Sequence, residues 1–402
     1  MRRTLGTVLA TLTAAIGLTA GAVGAASRAD AVPGAHGQRV CVDAKAGEAS
    51  CHALKLVDAN GRGVSPDTAS PSAGAKTPKD IQSAYKLTGL SSGARTVAIV
   101  DAYGYPNAGH DLGIYRLRSG LNSCTTASGC LRIIDQNGGT NLPRFNLGWS
   151  QEQALDLDAV SATCPDCKIL LVQAKSASFA DLGAAVITAA KQAGVVAISN
   201  SYGGGDAADT TYGTYYNHPG IAVTASTGDN GYQGASYPAS SPYVTAVGGT
   251  SLTLATGTTR GWSESVWSGA GSGCSTYNRA LAAAATFGTG CAKRAMADVS
   301  AVADPQTGLA VYAPTSRTSS TWGQYGGTSL ASPIIAAVYA LSGNTSRNPS
   351  GYANALPYQN AGALFDVTSG GNGSCPTPQW CHARTGWDGP TGLGTPNGVG
   401  AF

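Results

Sequence analysis

The sequence predicts an α/β fold in which a doubly wound, mostly parallel sheet carries helices on both faces. Short apolar runs alternate along the chain with longer segments of helical periodicity, a pattern typical of parallel sheets with crossover helices. Active sites on such sheets collect at the carboxyl ends of the strands. The predicted strands are Thr96–Ala102, Leu131–Asp135, Lys168–Ala174, Val195–Asn200, Ile221–Ser226 and Tyr243–Gly248. The predicted helices lie around 110–119 and over Glu152–Ala162 and Phe179–Ala193.

The chain divides into three regions of different composition, and the third of them forms this domain. Residues 1–31 combine Arg2, Arg3, a small apolar run and alanine-rich cleavage options near 25–31, which predicts a secretory signal peptide. An uncleaved membrane anchor is the alternative. Residues 32–75 are polar and weakly periodic, so they are interpreted as a short leader or pro-segment. Residues 76–402 are predicted to form one catalytic domain, and no later segment is apolar enough to cross a bilayer.

Composition limits the classes of partner. Charged residues make up 12% of the chain and the formal net charge is +3, without a basic cluster, so nucleic-acid binding is not expected. We expect a secreted monomer that does not associate with membranes once the signal is removed.

Ten cysteines fit an exported protein with structural disulfides. The CPDC couple could instead be redox-active or half of a zinc site, but the sequence contains no second CxxC. Local pairing predicts five bridges, Cys41–Cys51, Cys124–Cys130, Cys164–Cys167, Cys274–Cys291 and Cys375–Cys381.

The stretch GGTSLASPIIAAVYAL, from Gly326 to Leu341, is a candidate site for a nucleophile. Two glycines and a threonine precede Ser329, and an apolar helical pattern follows. Pro333 is expected in the first turn of this helix, where its missing N–H costs little. A hydroxyl at a helix N-terminus suits a nucleophile whose attack generates an oxyanion. A simple serine N-cap is the alternative.

A nucleophilic serine needs a base, and histidine is the usual one. His36 and His52 lie in the leader, and His382 lies in a cysteine-bounded loop. His110 and His218 remain, but neither lies in a glycine-rich context at a helix start. We therefore interpret both as surface or helix-capping residues.

Carboxylates are the better candidates for the base. Glu152 and Asp156 are four residues apart, which places both on one face of a helix, whereas Asp158 points away. Two acids so close titrate as a coupled pair. A solvated acidic face is the alternative, although Leu155 and Val160 indicate a buried helix in which unpaired acids would be costly.

Asp229 is the third candidate, because it follows a predicted strand through Thr227 and Gly228. It is either an ordinary turn aspartate or, if protonated, a hydrogen-bond donor to a developing oxyanion.

Four motifs, in order along some 320 residues, resemble the sedolisins. These are the serine-carboxyl peptidases, whose fold is similar to that of subtilisin. The motifs are ExxLD at Glu152–Asp156, an SxGDxG-like segment at Ser226–Gly231, GGTSxASP at Gly326–Pro333 and GWDxxTGLGTPN at Gly386–Asn397.

The resemblance implies a peptidase that acts on protein or peptide substrates at acidic pH. It implies Ser329 as nucleophile, Glu152 as general base, Asp156 as the acid that orients Glu152, and Asp229 as the oxyanion-hole donor. Asp101, at the end of the first predicted domain strand, is interpreted as structural.

A calcium site is expected near the C-terminus. Asp366 and Asp388, with glycine-supported carbonyl groups nearby, could form an oxygen cage for a hard cation. The resemblance implies one Ca²⁺ bound by these two side chains and by the backbone oxygens of Val367, Arg384 and Gly386. The family usually has glycine at the position of Arg384. Two ordinary turn aspartates are the alternative.

The chain departs from the family in its leader, which has about 45 residues where relatives usually carry a long folded pro-domain. Two other functions remain open. One is a histidine-dependent subtilase that uses Asp101 with His110 or His218, and the other is an inactive relative that binds peptides.

Overall fold

The structure is a computed structural model that describes residue 1 and residues 34–64, 74–344 and 351–402. Except for Met1, the predicted signal peptide lies outside the described residues, as do residues 32–33 and 65–73 of the predicted leader.

In the described residues the strands and helices follow one another as the alternating pattern predicts. The strands are β1 (His36–Arg39), β2 (Ser50–Cys51), β3 (Leu54–Val57), β4 (Thr96–Ala102), β5 (Leu131–Asp135), β6 (Lys168–Ala174), β7 (Val195–Asn200), β8 (Tyr202–Gly205), β9 (Ala222–Ser226), β10 (Ser236–Tyr237), β11 (Thr245–Leu254), β12 (Trp262–Val266), β13 (Gly273–Cys274), β14 (Ala295–Met296), β15 (Val299–Val302), β16 (Leu309–Pro314), β17 (Ser320–Gly326), β18 (Leu364–Phe365) and β19 (Thr395–Pro396). The helices are α1 (Pro78–Ala84), α2 (Ala108–Arg118), α3 (Leu147–Thr163), α4 (Phe179–Ala190), α5 (Asp209–Tyr212), α6 (Thr328–Ser342) and α7 (Leu356–Gln359).

The central sheet has the order β12-β11-β9-β7-β4-β6-β5, with β15 also paired to β11. All of these pairs are parallel except β11 with β12. Four predicted strands have the predicted bounds, and β11 is longer than predicted because it pairs with three neighbours. The predicted α/β fold with a mostly parallel sheet is confirmed.

Each face of the sheet is covered by its own core. In β4, Val97 and Ile99 pack in the core that contains α3 and α6, while Ala98 and Val100 pack in the core that contains α4. Alternate residues of a strand point to opposite faces, so a strand covered on both sides is apolar throughout. This arrangement explains the continuous apolar runs of the sequence.

Helix α6 contains a local feature that the sequence analysis predicted wrongly. Pro333 lies inside the helix rather than in its first turn. Proline cannot donate to the carbonyl group four residues earlier, which is that of Ser329. The Ser201 hydroxyl lies 3.3 Å from this carbonyl oxygen and can share its proton between this oxygen and Oδ1 of Asp156. A tertiary contact therefore replaces the missing helical hydrogen bond.

The predicted leader contains three short strands that pair with the rest of the fold. Strand β3 pairs with β1 and with β17, and β2 pairs antiparallel with β8. Residues 34–64 are thus integrated into the same unit as the predicted catalytic domain.

All five predicted disulfides are confirmed. Cys164 and Cys167 are consequently joined to each other and do not form half of a zinc site. Among the described residues, no helix has both the length and the hydropathy needed to span a membrane.

Candidate active site

The first turn of α6 carries a buried serine. Gly327, directly before α6, has a φ of 93°, which side chains rarely adopt, and a methyl group there would lie 2.7 Å from Oδ2 of Asp229. Ser329 is fully buried, and its hydroxyl donates to the carbonyl oxygen of Ser201 at 3.2 Å. The N–H of Ser329 belongs to the first turn and has no acceptor within the helix. The first turn of α6 therefore brings together the Ser329 hydroxyl and a backbone N–H that has no acceptor within the helix.

Helix α3 positions two carboxyl groups close to Ser329 and Ser201. Glu152 and Asp156 are fully buried and lie one turn apart. Oε2 of Glu152 accepts from the backbone N–H of Ala53 at 2.8 Å, and Oδ1 of Asp156 accepts from the Ser201 hydroxyl at 2.9 Å. The Ser329 hydroxyl lies close enough to Glu152 to lower the pKa of that carboxyl by hydrogen bonding, although its proton is directed at Ser201.

A third carboxyl group, that of Asp101, completes a buried acidic cluster with Glu152 and Asp156. Burial raises the pKa of all three groups, and the charge of Asp101 raises the pKa of the other two further. Three buried acids so close together do not all ionise readily, so the cluster retains protons that isolated carboxyls would lose. Glu152 is the best site for an anion, because the Ala53 N–H and the Ser329 hydroxyl can both donate to it.

Asp229 lies against the start of α6, next to Gly327 and Thr328. Its Oδ1 accepts from the N–H and the hydroxyl of Thr328, each at 2.8 Å, whereas its buried Oδ2 has no partner among the described residues. Burial raises the pKa of Asp229 to about 7. At acidic pH the group is neutral, and the proton belongs on the unpartnered Oδ2, which then becomes a donor aimed into the site.

A groove adjoins these groups. It has a volume of about 340 Å³ and is lined by the β8 glycines, Gly203 to Gly205, and by the loop after β9, residues 227–231. Backbone glycines leave room for a peptide to approach β8 closely. The groove therefore suits an extended polypeptide.

The histidines weighed from sequence lie elsewhere. The His110 side chain is 71% exposed and contacts Asp111, and His218 binds the carbonyl oxygen of Tyr215. The sequence analysis missed His52, whose ring lies 2.8 Å from the Ser226 hydroxyl. Burial lowers the pKa of His52 to about 3, with a further contribution from Arg39. This imidazole is neutral and contacts Ser226.

The residues expected to bind calcium form a separate cluster. Asp388 is buried and accepts from the N–H and hydroxyl of Thr391, while the exposed Asp366 accepts from the N–H of Gly386 at 2.9 Å. Burial raises the pKa of Asp388 to about 7, and the charge of Asp366 adds to this. The carbonyl oxygens of Val367, Arg384 and Gly386 accept no hydrogen bond from the described residues.

Comparison with known proteins gives independent information about the family. Residues 149–358 match the family described as the subtilase family. Kumamolisin from Bacillus sp. strain MN-32 is 30% identical over 364 residues, which cover 81% of this chain and 62% of kumamolisin. Sedolisin from Pseudomonas sp. strain 101 is 34% identical over 178 residues, which cover 40% of this chain and 28% of sedolisin. This chain therefore spans less than two thirds of the length of these relatives.

A solved structure supports the same relationship. The structure of Pseudomonas sedolisin, a serine-carboxyl proteinase complexed with two molecules of pseudo-iodotyrostatin, matches with a TM-score of 0.68 and 25% identity. The match covers 81% of this chain and 96% of that one. The chain belongs to the subtilase family, and within it to the sedolisins.

Proposed function

We propose that this chain is a secreted serine-carboxyl endopeptidase that hydrolyses peptide bonds of proteins at acidic pH. The observation that carries the proposal is that the buried Ser329 hydroxyl and the buried Asp156 carboxyl are joined through Ser201, with buried Glu152 one helical turn from Asp156. The five disulfides support export, because such bridges persist in oxidising compartments.

In the proposed mechanism Ser329 attacks the peptide carbonyl while Glu152 takes the hydroxyl proton. The N–H of Ser329 and the protonated Oδ2 of Asp229 stabilise the oxyanion. Glu152 then gives its proton to the leaving amine, and water repeats the cycle on the acyl-enzyme. Asp156, held by Ser201, keeps Glu152 oriented as a protonated partner.

Digestion of denatured casein tests the function. We expect the purified chain to hydrolyse casein in the acidic range and to lose activity above neutrality. Absence of hydrolysis throughout the acidic range, with calcium supplied, would contradict the proposal and favour a peptide-binding protein without catalytic activity.

Replacement of Asp229 tests the oxyanion donor. Asp229→Ala is expected to lower kcat about 10²- to 10³-fold, the usual cost of losing one such donor. Asp229→Asn keeps an acceptor for Thr328 and places an N–H donor at the position of Oδ2. We expect it to retain more activity than Asp229→Ala and to lose the fall in rate as pH rises through about 7. Equal activity of wild type and Asp229→Ala in steady-state peptide hydrolysis would exclude this role.

We also propose that the Asp366 and Asp388 cluster holds one calcium ion. Asp366, Asp388, whose pKa the charge of Asp366 raises, and three carbonyl oxygens that lack donors among the described residues form an all-oxygen set that fits a hard cation. Asp366 and Asp388 would bind it with the backbone oxygens of Val367, Arg384 and Gly386. The ion would neutralise the repulsion between the carboxylates and join the two loops.

Chelation tests this site without an activity assay. If the ion binds only the folded chain, EGTA is expected to remove about 1–3 kcal/mol of stability and lower Tm by a few degrees. Asp366→Asn should show a smaller shift on chelation than Asp43→Asn, a matched exposed control outside the cluster. An unchanged Tm on chelation, together with no calcium in elemental analysis of the purified protein, would rule the site out.

A further inference from the structure

Thr328, the residue directly before the candidate nucleophile, binds Asp229 through both of its donors. It is the first residue of α6 and is fully buried. Its backbone N–H and its hydroxyl each donate to Oδ1 of Asp229 at 2.8 Å. The hydroxyl oxygen also accepts from the backbone N–H of Gly228 at 3.0 Å. Thr328 therefore joins α6 to the carboxyl group of Asp229 and to the loop that carries it.

These contacts fix the direction of the Thr328 hydroxyl proton. A threonine hydroxyl has one proton and two lone pairs. Because the Gly228 N–H can only donate, a lone pair of the hydroxyl faces Gly228, and the proton is left for Oδ1 of Asp229. Oδ1 thus receives two donors. A proton on this oxygen would have to displace one of them.

The second oxygen of Asp229 is consequently the site of its proton. Oδ2 is buried and has no hydrogen-bond partner among the described residues. It lies beside Gly327 at the start of α6, since a methyl group on Gly327 would come within 2.7 Å of it. The N–H of Ser329, the other proposed oxyanion donor, belongs to the same turn. The orientation in which Thr328 holds the carboxyl therefore places a proton at the same helix start as that N–H.

The pKa of Asp229 reflects a balance in which Thr328 opposes burial. Burial raises this pKa to about 7, while the hydrogen bonds from the N–H and the hydroxyl of Thr328 lower it, because they stabilise the carboxylate. The other charged or titratable groups around the carboxyl are Arg39, Asp43, His52 and Glu152. Arg39 acts in the same direction as Thr328, but in the part of the chain that the structure describes only Thr328 donates hydrogen bonds to this carboxyl.

We propose that Thr328 is a positioning residue whose hydroxyl keeps the Asp229 proton on Oδ2 and sets the pH above which the enzyme loses its oxyanion donor. The proposal rests on the peptidase function and on the role of Asp229 proposed above. Thr328 acts through Asp229 and not on the reacting atoms. Without the hydroxyl, the carboxylate keeps one donor instead of two, so the carboxyl holds its proton to a higher pH.

Two substitutions at this position separate the hydroxyl from the shape of the side chain. Thr328→Val keeps the branched shape and removes the hydroxyl, whereas Thr328→Ser keeps the hydroxyl. In the pH dependence of kcat/KM for a short peptide, Thr328→Val should move the alkaline limb upward by about one pH unit, the scale of one hydrogen bond to a charged group. At the acidic optimum its kcat should fall about fivefold with KM unchanged, because the carboxyl is less firmly oriented. Thr328→Ser should keep the wild-type limb at about pH 7.

Two further variants separate this effect from a change in the fold. Thr328→Val places a methyl group against the Gly228 N–H, whereas Thr328→Ala lacks the hydroxyl and leaves this space open, and it should move the limb in the same direction. Thr245→Val is the matched control, because it removes another buried hydroxyl, which lies 3.1 Å from that of Tyr339. It should leave the limb where it is. A limb at the wild-type pH in either Thr328→Val or Thr328→Ala would overturn the proposal.

An NMR titration tests the proposal without an activity assay. In Ser329→Ala chains, the carbon-13 shift of the Asp229 carboxyl, assigned by its loss in Asp229→Asn, should titrate at about pH 7, and at a higher pH once Thr328→Val is added. Peptide hydrolysis with a limb that Thr328→Val does not move would overturn the role of Thr328 and leave the peptidase standing. Absence of hydrolysis in every chain would overturn the peptidase instead. The titration would then decide on Thr328 alone, and an unchanged Asp229 pKa in Thr328→Val would refute its role.

Discussion

Ser329→Ala is expected to lower kcat for peptide hydrolysis by about 10⁶-fold, the scale seen when a serine peptidase loses its nucleophile. No neighbouring group replaces the hydroxyl, because those closest to it are carboxyls and the Ser201 carbonyl oxygen. The fold should survive, since the lost hydroxyl makes one long hydrogen bond. The measurement is steady-state hydrolysis of a peptide library at acidic pH.

The matched control for this variant lies on the same helix. Ser342 is in the last turn of α6, where its hydroxyl binds the carbonyl oxygen of Tyr339. Ser342→Ala should retain activity. A Ser329→Ala protein that hydrolyses peptides within tenfold of Ser342→Ala would show that Ser329 is not the nucleophile.

Glu152→Gln is expected to lower kcat by about 10³- to 10⁴-fold at every pH, because an amide cannot accept the hydroxyl proton. The variant removes a charge with little change in shape, and the amide oxygen can still accept from Ala53. Kinetics with a short peptide should show the loss in kcat rather than in KM, since the group acts on the reaction and not on binding.

Asp158→Asn provides the control for loss of a buried acid from α3. Asp158 accepts from the backbone N–H of Tyr312 and lies away from the cluster. It should leave kcat close to that of wild type even if stability changes. Near-normal activity of Glu152→Gln would instead require another base, for which His52 would be the candidate.

Much of the fold was predictable because apolar runs report burial directly. Strand β4 is covered on both faces, so its uninterrupted TVAIVDA run fixed both its type and its bounds. Helix α3 begins five residues before the predicted start, since Asn146 caps it by accepting from the N–H of Trp149. The position of Pro333 was predicted wrongly because Ser201 is distant in sequence. Its hydroxyl contacts the Ser329 carbonyl oxygen, which a proline at position 333 leaves without a helical donor.

The candidate site was predictable where function requires a local pattern. Glu152 and Asp156 share a helix face by spacing alone, and Ser329 precedes a recognisable helix. Ser201 and His52 could not be found in this way, because their contacts join strands that only the folded sheet brings together. Asp101 was interpreted as structural, although its charge raises the pKa of Glu152 and of Asp156. The alternation in Cys51 to Val57 was the one signal that the leader contains strands.

The pH dependence of kcat/KM for a short peptide tests most directly whether carboxyl groups, and no imidazole, activate Ser329. Glu152 must lose its proton, and its pKa is raised by burial, so the rate should rise with pH from the acidic side. Asp229 must keep its proton, and its pKa is about 7, so the rate should fall as pH passes that value. We therefore expect a bell-shaped profile with its maximum below neutrality, and we expect its alkaline limb to be absent in Asp229→Asn. A rate that rises through the histidine range to a plateau at alkaline pH would contradict it.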